Sequence, residues 1–182
     1  MMAMPALAGS ITYNFSQGGY AEGAMITGYF VGEDLDGSGE LVYFGDDTGP
    51  VEGDSGLPEI TDFFVHFSGN SLVGEFTAGL ADLFGLVYLL DGGPLGDNAT
   101  GGSEGIGVSL FELEYLAGPG PLGGDPCDNS TVICGSINMF YEGPGGFDET
   151  VAWVEVNPVP VPAALPLMVF ALGALGVMRR RT

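Results

Sequence analysis

Stretches of alternating apolar and polar residues recur along the chain up to residue 157. The first is SITYNFS, where Ile11, Tyr13 and Phe15 fall on one face of an extended chain and polar residues fall on the other. The stretch FFVHFSG has the same pattern, with Phe63 and Val65 on its apolar face. A period of two residues is typical of a strand that buries one face.

Further strands are predicted in AMITGYFVG, LVGEFT, GLVYLL, GVSLFELEYLA, VICGSINMFYE and TVAWVEVN, with Gly, Pro, Asn and Asp between them. In GVSLFELEYLA we expect one strand, with Phe111, Leu113 and Tyr115 on one face and Glu112 and Glu114 on the other. AGLADLF also fits a short helical turn. About eight or nine short strands predict an all-β fold, an antiparallel β-sandwich or a jelly roll.

The composition supports one folded domain over residues 9–157. Gly and Pro are abundant, at 33 and 12 of 182 residues, as in turn-rich or low-complexity chains. Hydrophobic residues nevertheless make up 46% of the chain, and 12 Phe and 7 Tyr are among them. Because this content can form a core, it argues against disorder.

The charge of this domain is entirely negative. All 24 Asp and Glu precede Pro158, and no Lys or Arg precedes Arg179. Nucleic acid is excluded as a partner, because phosphate binding depends on Lys and Arg. Self-repulsion strains such a compact state, and bound cations would relieve it.

The last part of the chain differs in composition from the rest. Residues 159–178 contain no charge, and Arg179, Arg180 and Arg181 follow directly. An apolar segment of about 20 residues can span a bilayer as a helix. The arginines would stop transfer and stay cytoplasmic, which places the acidic domain outside. The alternative is a buried core helix with a basic tip.

The order of features in residues 158–182 resembles the PEP-CTERM sorting signal of exported bacterial proteins, and is most similar to its VPLPA-CTERM form. The motif here is Val159, Pro160, Val161, Pro162 and Ala163, with Val161 where Leu is usual. The resemblance implies a single-pass inner-membrane precursor. Its partner would be an exosortase-like transpeptidase that releases the protein to the cell surface or outside, often alongside exopolysaccharide.

Export requires a signal peptide, and residues 1–8 fit only the end of one. Ala6, Leu7 and Ala8 precede Gly9 in the small-x-small order of a cleavage site. We therefore expect residues 1–8 to be a signal-peptide remnant and translation to start upstream. A short disordered N-terminus is the alternative.

Cys127 and Cys134 lie in CDNSTVIC, with turn-forming residues between them. The spacing does not match a zinc ribbon, and the one histidine, His66, is distant in sequence. We expect a disulfide that closes a hairpin, as is common in exported proteins. Two buried thiols are the alternative.

The stretch DLDGSGEL matches the first part of an EF-hand calcium loop. Oxygen ligands fall at alternating positions: Asp34, Asp36, Ser38 and the Glu40 carbonyl. Gly39 stands where that loop turns sharply. The twelfth position is Gly45, which cannot supply the usual bidentate carboxylate. An acidic hairpin without metal is the alternative.

Residues 24–90 also resemble PEP-CTERM proteins, many of which carry a GTDxNGDG loop followed by ELTxF and FSGNSL. Here VGEDLDGSGEL is followed, after an insertion, by PEITDFFVHFSGNSLVGEF. The resemblance places Glu59 where the missing calcium ligand would be. It implies no enzymatic activity.

Three classes of function remain open. A non-enzymatic, calcium-stabilised surface or matrix protein fits best. A module that binds exopolysaccharide would need exposed aromatic residues such as Tyr20, Tyr43 or Trp153. An extracellular hydrolase would need converging carboxylates, for which Glu112 and Glu114 are candidates, or His66 beside a nucleophile. Phosphate-loop, HExxH and GxSxG motifs are absent from the sequence.

Overall fold

The computed structural model describes residues 9–46, 49–51, 58–96, 104–118, 127, 132–140 and 146–159. These residues form twelve strands. The strands are β1 Ile11–Gln17, β2 Ile26–Gly32, β3 Glu40–Asp46, β4 Gly49–Val51, β5 Ile60–Phe67, β6 Phe76–Gly79, β7 Leu83–Leu89, β8 Gly105–Leu110, β9 Leu113–Ala117, β10 Gly135–Met139, β11 Phe147–Thr150 and β12 Glu155–Pro158. Two 3-10 turns lie at Ala21–Gly23 and Leu80–Asp82, and the second confirms the turn considered for AGLADLF.

The strands form two antiparallel sheets, as the alternating pattern predicted. One sheet has five strands in the order β12-β1-β2-β5-β6, and the other has seven in the order β11-β10-β9-β8-β7-β3-β4. Their apolar faces pack together in one core, so the fold is all-β and sandwich-like. The predicted strand number was too low, because several short strands such as β4 and β11 carry too few residues to show a period.

The stretch GVSLFELEYLA forms two strands, which corrects the expectation of one. Leu110 at the end of β8 pairs with Leu113 at the start of β9, and Phe111 and Glu112 form the turn between them. Phe111 is therefore 98% exposed. Leu113 and Tyr115 are buried as expected. The alternation continues through a two-residue turn, so the pattern alone does not reveal where the chain reverses.

Aromatic residues from both sheets join the core. Tyr13 of β1 stacks on Phe30 of β2, with 5.0 Å between ring centroids. Tyr88 of β7 meets the edges of both rings, at 5.4 Å from Tyr13 and 5.5 Å from Phe30. Edge-to-face pairs of this kind add about 0.5–1.5 kcal/mol to the free energy gained by burying the rings.

A buried amide also connects the two sheets. The Gln17 side chain on β1 donates hydrogen bonds to the carbonyls of Cys134 and Ala152, at 2.9 and 2.8 Å. Its carbonyl oxygen accepts from the hydroxyls of Tyr20 and Tyr115, at 2.6 and 3.0 Å. Burial raises the pKa of both tyrosines, so their hydroxyls remain donors.

Both ends of the described chain lie at one end of the five-stranded sheet. Ile11 at the start of β1 pairs with Gly32 at the end of β2. The Val159 N–H, just after β12, donates to the Thr12 carbonyl at 2.7 Å. The loop that leaves β2 and the segment that leads into the C-terminal tail therefore share this end.

Among the described residues there is no helix with the length and apolar character needed to cross a membrane. The predicted membrane helix and Arg179, Arg180 and Arg181 lie in residues 160–182, outside the described part of the chain. Residues 1–8, assigned to the signal peptide, also lie outside it.

Candidate metal site

The loop between β2 and β3 folds around the carboxylate of Asp34. Its Oδ1 accepts hydrogen bonds from the N–H groups of Gly37 and Ser38 at 2.7 and 3.2 Å, and its Oδ2 accepts from Gly39 at 3.1 Å. Asp36 Oδ1 accepts from the Ser38 N–H at 2.9 Å. Gly37 and Gly39 have φ of 77° and 85°, which favours glycine at both places. The sequence thus folds locally into a tight, acid-lined turn.

Glu59 reaches this loop from another part of the chain. It precedes Ile60, which pairs with Gly32, and the Glu33 N–H donates to the Glu59 carbonyl at 3.0 Å. The Glu59 side chain is 1% exposed. Its two carboxylate oxygens accept from the N–H groups of Leu35 and Val42, each at 3.0 Å. The pairing of β2 with β5 therefore positions Glu59 against the loop.

The structure brings the carboxylates of Asp34, Asp36 and Glu59 together. Each offers one oxygen atom, and these atoms lie within 4.8 Å of one another. Ser38 and Glu40, the other predicted ligands, follow in the same loop, with the Ser38 hydroxyl 3.4 Å from the Glu40 carbonyl oxygen. The grouping contains three of the five predicted ligands, and the binding of an ion remains a prediction.

The electrostatics of the loop favour the ionised form of Asp36. Hydrogen bonds from the side chain and then from the backbone of Ser38 lower the pKa of Asp36. Burial, followed by the negative charge of Asp34, raises the pKa of the nearby Tyr13 hydroxyl. Because His66 is the only basic side chain among the described residues, and it pairs elsewhere, this negative charge has no cationic neighbour in the described part of the chain.

Calcium fits the donor set of this cluster. Ca²⁺ takes 6–8 oxygen ligands at 2.3–2.6 Å from carboxylates, carbonyls and water. All the candidate ligands are hard oxygen donors: the carboxylates of Asp34, Asp36 and Glu59, the Ser38 hydroxyl and the Glu40 carbonyl. The N–H bonds do not exhaust the acceptors, because a carboxylate has about four lone-pair sites. One carboxylate oxygen can therefore hold a loop N–H and also face a cation.

The two cysteines are buried, and the structure does not show the predicted disulfide between them. The Cys134 thiol donates a weak hydrogen bond to the Val132 carbonyl at 3.4 Å. The Cys127 N–H donates to the Gly96 carbonyl at 3.1 Å. The disulfide stays a prediction.

The residues considered for catalysis lie apart from the cluster. His66 Nε2 lies 2.9 Å from Glu75 Oε1 in an exposed pair. Glu112 is exposed in the β8–β9 turn, and Glu114 lies on β9 opposite Asn138. Neither feature adds to the metal cluster.

The aromatic residues considered for a sugar platform are differently placed. Tyr20 is 3% exposed and hydrogen-bonded in the core, so it cannot form a platform. Tyr43 and Trp153 are half-buried. The Trp153 indole nitrogen is buried and has no hydrogen-bond partner among the described residues. The expectation for Tyr20 is wrong. The sequence around a single tyrosine does not show which hydrogen-bond partners its hydroxyl has in the folded protein.

Two further buried carboxylates were not identified from the sequence. Glu104 accepts hydrogen bonds from the N–H groups of Leu89 and Gly96, at 2.8 and 3.1 Å. Asp148 accepts from the Ala21 N–H at 3.1 Å and from the Asn70 amide at 2.6 Å. Both carboxylates lie in acidic, glycine-containing segments whose composition predicts exposure to solvent. Their hydrogen-bond partners are distant in sequence.

Comparisons with known proteins add no assignment: no family model matches the chain, and no curated protein or solved structure matches it significantly. The resemblance of the tail to a sorting signal thus stays a prediction. Of the motif only Val159 is described, and it is exposed; Pro160, Val161, Pro162 and Ala163 lie outside the described residues.

Replacement of Glu59 tests the structural role of its carboxylate without any ion. In the presence of a chelator, we expect Glu59→Ala to lower the free energy of unfolding by about 2–4 kcal/mol, because two backbone N–H groups lose a charged acceptor. Urea unfolding measures this change. Glu149→Ala, at an exposed position of β11, should stay within about 0.5 kcal/mol of the parent. Equal, small effects of both substitutions would contradict the role assigned to Glu59.

Proposed function

We propose that the protein is an exported, non-enzymatic component of the cell surface or extracellular matrix. It is made as a single-pass inner-membrane precursor, an exosortase-like transpeptidase sorts it, and calcium stabilises its β-sandwich. The sorting part rests on the motif, apolar segment and arginines of residues 158–182. The calcium part rests on the described structure.

The single observation that carries the calcium proposal is the convergence of Glu59 with Asp34 and Asp36. The loop pattern alone supplies ligands from one stretch and lacks an acid at its twelfth position. The carboxylate that replaces it is that of Glu59, directly before β5 and 23 residues after Asp36 in the chain. A calcium ion at this point would link the β2–β3 loop to β5.

The charge of the domain is the reason why a bound calcium ion would stabilise the folded state. Folding concentrates 24 acidic residues with no Lys or Arg before residue 179. Extracellular modules bind calcium with Kd on the order of 10⁻⁴–10⁻³ M. At a hundredfold excess over Kd, one such site adds about 2.7 kcal/mol to the free energy of unfolding. This is a sizeable part of the roughly 5–15 kcal/mol that separates typical folded and unfolded states.

The end of the domain supports the sorting proposal. β12 ends at Pro158 and is paired with β1, and the motif begins at the next residue. A sorting enzyme would therefore meet the motif directly beside a rigid domain. Export also suits an oxidised Cys127–Cys134 pair, which we include in the proposal.

Calcium should raise the melting temperature at fixed ionic strength, and magnesium should not reproduce the shift. Monovalent salt also screens like charges, so ionic strength must be matched. Asp36→Asn should reduce the calcium shift markedly, because the amide keeps an oxygen for the Ser38 N–H but loses the negative charge that attracts the ion. Differential scanning fluorimetry with calcium, magnesium and chelator measures these shifts.

The matched control is Asp91→Asn. Asp91 is exposed and accepts a hydrogen bond from the N–H two residues ahead at 2.9 Å, as Asp36 does, but it lies outside the cluster. It should keep the full calcium shift. Equal shifts from calcium and magnesium that survive Asp36→Asn would mean diffuse screening and no calcium site.

Processing of the tail should depend on the two prolines of the motif. With Pro160→Ala and Pro162→Ala together, we expect the full-length precursor to accumulate in the membrane fraction, because the sorting enzyme no longer recognises its motif. Immunoblots of fractionated cells follow the precursor. Mass spectrometry of the mature surface form should find no peptide from residues 169–178; its presence would show a permanent anchor.

A further inference from the structure

The outward face of the five-stranded sheet carries a row of aromatic and amide side chains. Strand pairing places Asn157, Asn14, Tyr29, Phe64 and Gly79 side by side across β12, β1, β2, β5 and β6. Asn14 and Phe64 each lie between two buried residues of their strand, and Tyr29 precedes the buried Phe30, so these three side chains point away from the core. The row crosses the whole sheet.

The two rings in this row are held in place, and Phe64 is exposed while Tyr29 is half-buried. The centroids of Tyr29 and Phe64 lie 6.0 Å apart, with 25° between the ring planes. The Tyr29 hydroxyl donates to Asp62 Oδ2 at 3.2 Å, which fixes its ring. Phe64 is 39% exposed. On its far side stands Gly79, where an added Cβ would meet only the Phe63 carbonyl oxygen at 3.8 Å, so space beside the Phe64 ring is open.

Hydrogen-bonding groups surround the rings on the same face. The adjacent row, in register across β1, β2, β5 and β6, consists of Ser16, Thr27, His66 and Thr77. Amides, hydroxyls and imidazole both donate and accept hydrogen bonds. An aromatic face carries the negative part of the ring quadrupole and attracts polarised C–H groups. Rings beside such polar groups suit a ligand with both a C–H face and hydroxyl groups.

The charge of the chain restricts the class of ligand. Asp62 and Glu75 lie beside this face, and no Lys or Arg precedes residue 179. Nucleic acids, anionic lipids and acidic polysaccharides would be repelled. A second copy of the chain would bring a further 24 acidic residues. The charge of the chain therefore disfavours anionic ligands, and the uncharged rings, amides and hydroxyls of the two rows fit a neutral one.

We propose that the outward face of the five-stranded sheet binds a neutral polysaccharide, with Tyr29 and Phe64 stacking on sugar rings and Asn14 hydrogen-bonding to hydroxyl groups. This site is separate from the metal cluster and does not depend on it. The site would let the exported domain bind neutral polysaccharide in its surroundings.

Affinity electrophoresis of the full chain tests the proposal, with laminarin, hydroxyethyl cellulose and galactomannan as neutral probes and polygalacturonate as the anionic probe. At least one neutral probe should retard the protein, and polygalacturonate should not. Phe64→Ala should weaken the retardation about tenfold, the loss expected for a stacking contact of roughly 1.4 kcal/mol. Phe111→Ala, which removes an exposed ring from the β8–β9 turn of the other sheet, should have no effect.

Asn14→Ala provides a second variant whose ring pair is intact, and it should also weaken binding measurably. Melting curves confirm that each variant is folded. No retardation by the neutral probes, equal losses in Phe64→Ala and Phe111→Ala, or stronger retardation by polygalacturonate would each overturn the proposal. Binding that persists in chelator and in Asp36→Asn would show that the site stands without the calcium proposal.

Discussion

The fold depends on backbone N–H groups that hold carboxylates in the absence of basic side chains. Glu59, Glu104 and Asp148 are each almost fully buried, at 1%, 2% and 6% exposure. Buried carboxylates usually pair with Lys or Arg, but this chain has neither before residue 179. Each instead accepts at least one backbone N–H from a loop, a turn or a strand. Hydrogen bonds to charged groups contribute about 1.5–3 kcal/mol each, so these contacts tie the loops to the sheets.

The same constraint explains why the acidic loop after β2 is a candidate for a cation. Backbone N–H dipoles can stabilise a single carboxylate. Here, however, oxygen atoms of Asp34, Asp36 and Glu59 lie within 4.8 Å of one another. No basic side chain among the described residues offsets their mutual repulsion, and a divalent ion would remove it. Calcium would then act on the fold by linking the β2–β3 loop to β5. The outward face, with its paired rings, lies on the same sheet and is left for contact with the surroundings.

Much of the sheet architecture could be predicted because alternation reports directly on which face of a strand is buried. Tyr13, Phe15, Phe63 and Val65 are buried as the pattern indicated. Phe111 was misplaced because a two-residue turn does not interrupt the pattern. Glu59 was identified through a resemblance, since nothing in its local sequence marks it as buried. Glu104 and Asp148 were not predicted, because their burial depends on N–H groups brought in from distant segments.

We propose a cation at one defined point of a chain whose buried carboxylates accept hydrogen bonds from backbone N–H groups. The most direct measurement is the anomalous difference density of a crystal grown with calcium. We predict one strong peak between the carboxylates of Asp34, Asp36 and Glu59, with oxygen ligands at about 2.3–2.6 Å. A map without a peak there, in which the three carboxylates keep only their bonds to loop N–H groups, would contradict the account.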